Sequence, residues 1–202
     1  MLTLAIDTSS EACAVALFDG DQLIDADHRV IGRGHAEQLV PMIAALAGGG
    51  RAGRILVGCG PGSFTGVRVG IAAARALALG WQADVSGFNS LALLAAAFVG
   101  ESPAEQRTVV MDGGHGEWLV QRFTPDALAL NEFSSLPPAR AIEQPAALVI
   151  GNRAAAFVRL AGAGAAHDAL PDARHALRIV AGHRGWAPRP VYARAPDAMV
   201  KA

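Results

Sequence analysis

Two stretches of the chain that lie 105 residues apart carry one pattern. LTLAIDTSSEACAVALFDGDQLI begins at Leu2, and RTVVMDGGHGEWLVQRFTPDALAL begins at Arg107. Asp112 answers Asp7, Phe123 answers Phe18, Asp126 answers Asp21 and Leu128 answers Leu23, all at that offset. Each stretch reads as a buried strand ending in an aspartate, a short polar or glycine-containing link, and a second apolar strand. A single offset shared by four positions and two hairpins marks a duplicated unit. The 202 residues are enough for one ordinary domain or two small lobes, and the repeat favours the two lobes.

The first copy continues as an α/β unit. Strands are predicted over residues 2–7, 12–18 and 22–30, with the turn Asp19-Gly20-Asp21 between the last two. HAEQLVPMIAAL, residues 35–46, sets Leu39, Met42, Ile43 and Leu46 at helical spacing. Pro41 is expected to bend that helix or confine its regular part, and Gly48-Gly49-Gly50 to end it. RILVGCG is a further buried strand, GPGSFTGVRVG opens a helix running to about residue 80, and ADVSGF is a short strand. Ser90 is expected to cap a helix in LALLAAAFV. The polar run from Glu101 to Glu105 divides the chain into lobes of residues 1–102 and 103–202. The second lobe carries a strand over 147–152, a helix in DARHALRIVAGHR ending near Gly185, and an extended PVYARAP. Residues 154–169 read equally as helix or loop.

Composition narrows the class. With 52% hydrophobic residues the chain can bury a real core. Seventeen Lys and Arg stand against 18 Asp and Glu, so no strong polyanion binder is advertised, and RNA contact would come largely through a partner. Cys13 and Cys59 sit in apolar runs with no Cys-x-x-Cys or His spacing, which argues against a disulfide framework or zinc site and for a reduced, cytoplasmic setting. The start MLTLAID lacks a basic region before a long apolar segment, and Arg68, Arg75 and Asp84 interrupt the greasiest windows. A soluble protein without a membrane span is expected.

The block GPGSFTGVRVG looks like a phosphate loop but lacks the Lys-Ser/Thr of one fingerprint and the glycine spacing of the other. An anion at the helix N-terminus stays open; packing explains more. Ser63 can cap the helix, and Gly66, Gly70 and Ala74 then form one stripe almost free of side chains. Each helical glycine costs about 1 kcal/mol against alanine, so the stripe needs a compensating close approach, within the chain or to another chain. If the approach is to another chain, Gly70→Leu should weaken association and leave the monomer folded. His35 starts a helix, where it is expected to face solvent or a turn, and Leu39 stands where a second metal ligand would have to be. His28, His115, His167, His175 and His183 form no ligand pattern, and neither a Gly-x-Ser-x-Gly elbow nor a paired Cys is present. Arg29, Arg33, Arg51 and Arg54, and near the end Arg184, Arg189 and Arg194, read as a solvated face or as contacts to RNA or an acidic partner.

Paired strand-end aspartates followed by small residues resemble the two phosphate loops of the actin, Hsp70 and sugar-kinase superfamily. Here they would be Asp7-Thr8-Ser9-Ser10 and Asp112-Gly113-Gly114-His115. The resemblance implies an α/β, two-lobed, duplicated (ribonuclease H-like) fold and, as one reading, an autonomous ATP-dependent phosphotransferase or hydrolase. AIDTSSEACAVAL, GRGHAEQLVPMI, GCGPGSFTGVRVGIAAARALALG and VYARAPDA together resemble a narrower group, the TsaB (YeaZ) family of bacterial tRNA threonylcarbamoyladenosine biosynthesis proteins. That resemblance implies a non-catalytic scaffold that activates a TsaD-like catalytic subunit, is joined by a TsaE-like ATPase, and forms homodimers when alone. ATP and metal would be used by the partner subunits, with none bound by this chain, and tRNA would be met indirectly. The His-x-x-x-His metal site of the TsaD paralogue has no counterpart at His35 and Leu39. The implied interface is His35, Leu39, Met42, Ile43 and Leu46 on one helix and Phe64, Gly66, Val67, Gly70, Ile71 and Ala74 on the next, with Asp7, Thr8, Ser9, Asp112, Gly113 and Gly114 as vestigial phosphate loops.

Overall fold

The computed structural model describes residues 1–100 and 106–193. The expected division at residues 102 and 103 lies outside the described residues, as do Arg194 and the end of the VYARAPDA motif. In the first lobe, β1 (Leu2–Asp7), β2 (Ala12–Asp19) and β3 (Gln22–Val30) form an antiparallel meander. Then follow α1 (His35–Ala45), β4 (Arg54–Gly58), α2 (Phe64–Trp81), β5 (Asp84–Phe88) and α3 (Ser90–Ala97). The second lobe has β6 (Arg107–Gly114), β7 (Glu117–Phe123), β8 (Ser134–Leu136), α4 (Pro138–Ala141), β9 (Leu148–Ile150), α5 (Ala154–Ala161) and β10 (Ala165–His167). Two 3-10 turns, Ala173–Arg178 and Ala181–His183, lead to β11 (Arg184–Trp186).

The two sheets repeat one topology. The first runs β11-β5-β4-β1-β2-β3 and the second β10-β9-β6-β7-β8, so without β11 the orders coincide. In both, the hairpin is antiparallel and the two strands on its other side are parallel to its first strand. This is the duplicated, two-lobed α/β architecture of the actin/Hsp70 type. The copies differ where the hairpins turn. Four residues link β1 to β2, whereas β6 turns into β7 through His115 and Gly116, both at positive φ (53° and 80°).

Strand alternation sorts side chains onto three cores. Leu4, Ile6, Val15, Ile55 and Val57 face α1 and α2, packing on Leu39, Met42, Ile43, Val67 and Ile71. Their neighbours Ala5, Ala14, Ala16 and Leu56 turn the other way, onto α3 and onto Val109, Met111, Leu119 and Phe123 of the second sheet. Helix α3 is thus sandwiched between the lobes, and Leu91 to Ala96 are all buried. A third core joins Val110, Trp118 and Val120 to Ala154 and Phe157 of α5.

Four local expectations change. Asn89, not Ser90, caps α3: its Oδ1 accepts from the N–H groups of Leu91 and Ala92 at 2.8 and 3.2 Å. Helix α1 continues through Pro41 to Ala45, because the ring sits on the solvent side and only one backbone bond is lost there. The open stretch 154–169 resolves into α5 and β10. DARHALRIVAGHR forms 3-10 turns instead of one helix. Ala173 and Ala176 are buried against the core around α3, and the chain must then bend back to reach the first sheet, where β11 pairs antiparallel with β5. A segment expected in the second lobe therefore completes the first.

Candidate functional site

The links after β1 and β6 open into one cleft between the lobes, with a volume of about 670 Å³. Ser9, Ser10 and Glu11 line one side, Asp112 to His115 the other, and Pro61 to Phe64 the mouth. The two expected loops are brought together, but their aspartates do different things.

Asp7 lies beneath its loop and does not line the cleft. Its Oδ1 accepts from the Ser9 N–H at 2.9 Å and the Ser9 hydroxyl at 2.7 Å, and its Oδ2 accepts from the Ser90 hydroxyl at 2.8 Å. Complete burial pushes its carboxyl above the ordinary value, and the hydrogen bonds from Ser9 and Ser90 only partly offset that. The carboxylate is consumed in shaping the turn, so it is not presented to a metal in the cleft.

Thr8 and Ser9 decide what the glycines are for. A Cβ at Gly62 would strike the Ser9 carbonyl, one at Gly66 the Thr8 carbonyl, and one at Gly70 the Thr8 hydroxyl. The Thr8 hydroxyl donates to the Gly66 carbonyl at 2.7 Å, and the Ser63 N–H donates to the Ser9 carbonyl at 2.7 Å. Ser63 also caps α2 as expected, accepting from the Gly66 N–H at 3.2 Å. The small stripe is where α2 lies against the β1–β2 link of its own chain.

Asp112 is partly exposed, ion-paired with Arg153, and accepts from the Gly114 N–H at 2.8 Å. Asn152, at the end of β9, accepts from the Asp112 N–H at 2.9 Å and donates to both oxygens of Glu11 at 3.0 Å. Glu11 and Asn152 thereby tie the lobes across the cleft. Glu117, held by the Ser135 hydroxyl at 2.6 Å, adds a third carboxylate to Glu11 and Asp112 among the lining residues. Of the three, Asp112 is offset by Arg153 and Glu11 is held by the Asn152 amide. Sequence reasoning missed Glu11, Asn152 and Arg153 and the bond from Ser90 to Asp7; the Gly-Asn at 151–152 was the available signal, an amide following a strand where β1 and β6 carry a carboxylate.

The structure buries most of the residues of the expected interface inside the chain. Ten of the eleven are buried: His35, Leu39, Met42, Ile43, Leu46, Gly66, Val67, Gly70, Ile71 and Ala74. Only Phe64 is exposed, at 53%. His35 does not face solvent; its ring lies 3.2 Å from the Ala12 carbonyl and anchors α1 to β2. Helices α1 and α2 pack side by side, and their outer faces instead expose Val40 and Leu79 with Pro41, Ala44, Ala72 and Ala76. Both cysteines are buried and free, and burial pushes each thiol up to about 11. Among the described residues no helix is long and apolar enough to cross a membrane, and no three His, Cys, Asp or Glu side chains are grouped to hold a metal ion.

Known proteins resemble this chain in sequence and in fold. A family model described as TsaD, tRNA N6-adenosine threonylcarbamoyltransferase, matches residues 29–129, half of the chain. The tRNA threonylcarbamoyladenosine biosynthesis protein TsaB of Escherichia coli is 36% identical over 122 residues, covering 58% of this chain and 52% of that protein. TsaB of Bacillus subtilis is 34% identical over 101 residues, 48% of this chain and 44% of the relative. The match thus spans about half the length of these curated relatives. The solved structure of YeaZ from Pseudomonas aeruginosa superposes with a TM-score of 0.76 at 29% identity, covering 95% of this chain and 99% of that one. With the family model matching half its residues and the YeaZ fold extending over nearly all of it, the chain belongs to the TsaD-type family as a TsaB (YeaZ) member.

Proposed function

We propose that this chain works in tRNA threonylcarbamoyladenosine biosynthesis as a non-catalytic subunit that docks and activates a TsaD-type catalytic chain. The observation that carries the reading is the exposed outer faces of α1 and α2, where Val40 and Leu79 stand 52 and 85% exposed on the two helices that the family resemblance points to. Apolar side chains exposed together on adjacent helices are available to a protein contact. The interface moves from the buried stripe to this face, while the helices stay the same. A TsaE-like ATPase joins the pair, the same face serves a homodimer when the chain is alone, and tRNA is met through the partners, which also handle ATP and metal. The setting is cytoplasmic, and residues 1–102 are the docking lobe with 103–202 as the smaller second lobe.

The cleft supports the same reading. Its first loop spends Asp7 on its own turn, and in the second Asp112 is paired with Arg153, so neither strand-end aspartate is left free to hold a phosphate-bound metal ion. The decisive experiment mixes the purified chain with the TsaD-type protein of its own organism and measures mass by size-exclusion chromatography with light scattering. A mixed complex is expected, weakened at least roughly tenfold by Leu79→Asp or Ala72→Arg, since a charge buried at a contact is costly, with threonylcarbamoyl transfer rescued only when both chains are present. Complexes unaffected by either substitution would remove the docking face. Micromolar ATP binding with turnover by the isolated chain would overturn the non-catalytic reading.

A further inference from the structure

The last described residues run back from the second lobe along the first. The Asn89 N–H donates to the His183 carbonyl at 2.9 Å, and β11 then lies against β5 with Arg184 opposite Phe88 and Trp186 opposite Gly87. Beyond it the Ala187 carbonyl accepts from the Cys59 thiol at 3.8 Å, and the Val191 N–H donates to the Cys59 carbonyl at 2.8 Å. Tyr192 and Ala193 finish as part of the cleft wall. The segment therefore covers Cys59 and one edge of the cleft at once.

Two arginines of α2 hold it from outside. Arg75 donates to the Pro188 carbonyl at 2.8 Å. The Arg68 guanidinium stands 3.3 Å from the centre of the Phe64 ring and 5.2 Å from that of Tyr192, and the two rings are 5.4 Å apart. Seven residues separate the arginines, about two helical turns, so both lie along the same side of α2. Both are exposed, and each meets the segment through a neutral group, a carbonyl or a ring face. A carboxylate adds an opposite charge and two acceptor oxygens matched to the guanidinium fork, which a lone carbonyl or a ring face does not offer. An acidic side chain brought to this side of α2 competes with these holds.

We propose that residues 184–193 are a releasable strap at the cleft mouth, caught by Arg68 and Arg75, and that carboxylates of a partner docked on α2 open it. Opening uncovers Cys59 and moves Tyr192 out of the cleft wall, so docking outside the lobe changes access to the space between the lobes. Cys13 in β2, between β1 and β3, is the internal reference, because it is buried, its thiol is also pushed up to about 11, and none of the strap contacts above involves it.

The test is alkylation by iodoacetamide under native conditions, read at each cysteine by mass spectrometry, together with amide exchange over residues 184–193. In the Arg68→Ala/Arg75→Ala variant, Cys59 labelling is expected to rise roughly tenfold with Cys13 unchanged, as for a locally opening segment that loses two contacts of hydrogen-bond strength. Unchanged Cys59 labelling and unchanged amide protection would overturn the strap. An equal rise at both cysteines would overturn it too, because the whole chain would then be opening. Adding the TsaD-type protein of the same organism to the wild-type chain tests the trigger, and this arm rests on the docking proposed above. A complex seen by light scattering that speeds Cys59 labelling supports the trigger, and a complex that does not refutes it. If no complex forms, the docking reading and the trigger fall together, while the variant still decides whether Arg68 and Arg75 are the catch.

Discussion

Gly70→Ala separates an internal role for the glycine stripe from an external one. The added methyl points at the Thr8 hydroxyl, well inside the roughly 3.5 Å at which such atoms begin to repel. Thr8 is 1% exposed and its hydroxyl is already committed to the Gly66 carbonyl, so it has nowhere to go without breaking that bond. Overpacking of this kind costs about 1–3 kcal/mol. A buried hydroxyl and carbonyl left unpaired cost about 1–3 kcal/mol more. Alanine returns about 1 kcal/mol of helix propensity. The balance is a loss of about 3 kcal/mol, or roughly 6–12 °C in Tm for a chain of this size. Urea unfolding followed by circular dichroism would measure it. In a Thr8→Ala background the hydroxyl is gone, and the same Gly70→Ala change should become neutral or mildly stabilising. If Gly70→Ala left stability within about 0.5 kcal/mol of wild type while weakening association, the stripe would face a partner and the reasoning here would be wrong. The Gly70→Leu expectation is revised on the same ground: the larger side chain should unfold the monomer, not merely loosen a complex.

Two further outcomes follow from the cleft. Asp7 is held above its ordinary value by burial, so the folded state binds its proton at higher pH than the unfolded chain does. The stability it contributes is full below about pH 4 and is lost as pH rises through the folded value. Asp7→Asn keeps the turn bonds and removes that loss, so urea midpoints of variant and wild type should meet at low pH and separate toward neutral, the variant higher; parallel profiles would refute this. Glu11→Ala leaves the Asn152 amide without its partner across the cleft and should cost about 1–3 kcal/mol, with amide exchange rising in residues 8–11 and 112–116 together; a change confined to one lobe would show that Glu11 does not tie them.

Much of the fold was legible because duplication and periodicity are local properties of the chain. The 105-residue offset located both hairpins, and the strand orders of the two sheets, which coincide apart from β11, agree with it. Helical spacing finds the buried faces of α1 and α2; the family resemblance assigns the same residues to docking, and in the structure they pack on the lobe's own sheet. A buried stripe and a docking stripe look alike in sequence, since both are runs of small or apolar side chains at the same period. The helix expected in DARHALRIVAGHR failed for a related reason: Ala173 and Ala176 are small because they pack near α3, and tertiary contact overrode their helical preference.

The amino-acid sequence by itself determined the two-copy plan, the order of strands and helices in the first lobe, the cap at Ser63 and the family block around GPGSFTG, all of which depend on neighbours within a few residues or on one repeated offset. Only the tertiary structure decided that Gly66 and Gly70 receive Thr8, that Glu11 reaches Asn152 across 141 residues, and that residues 184–193 return to the first lobe. Those are choices between surfaces that a chain brings together only on folding, and the free energy that selects them comes from burial and close packing, which no local pattern records.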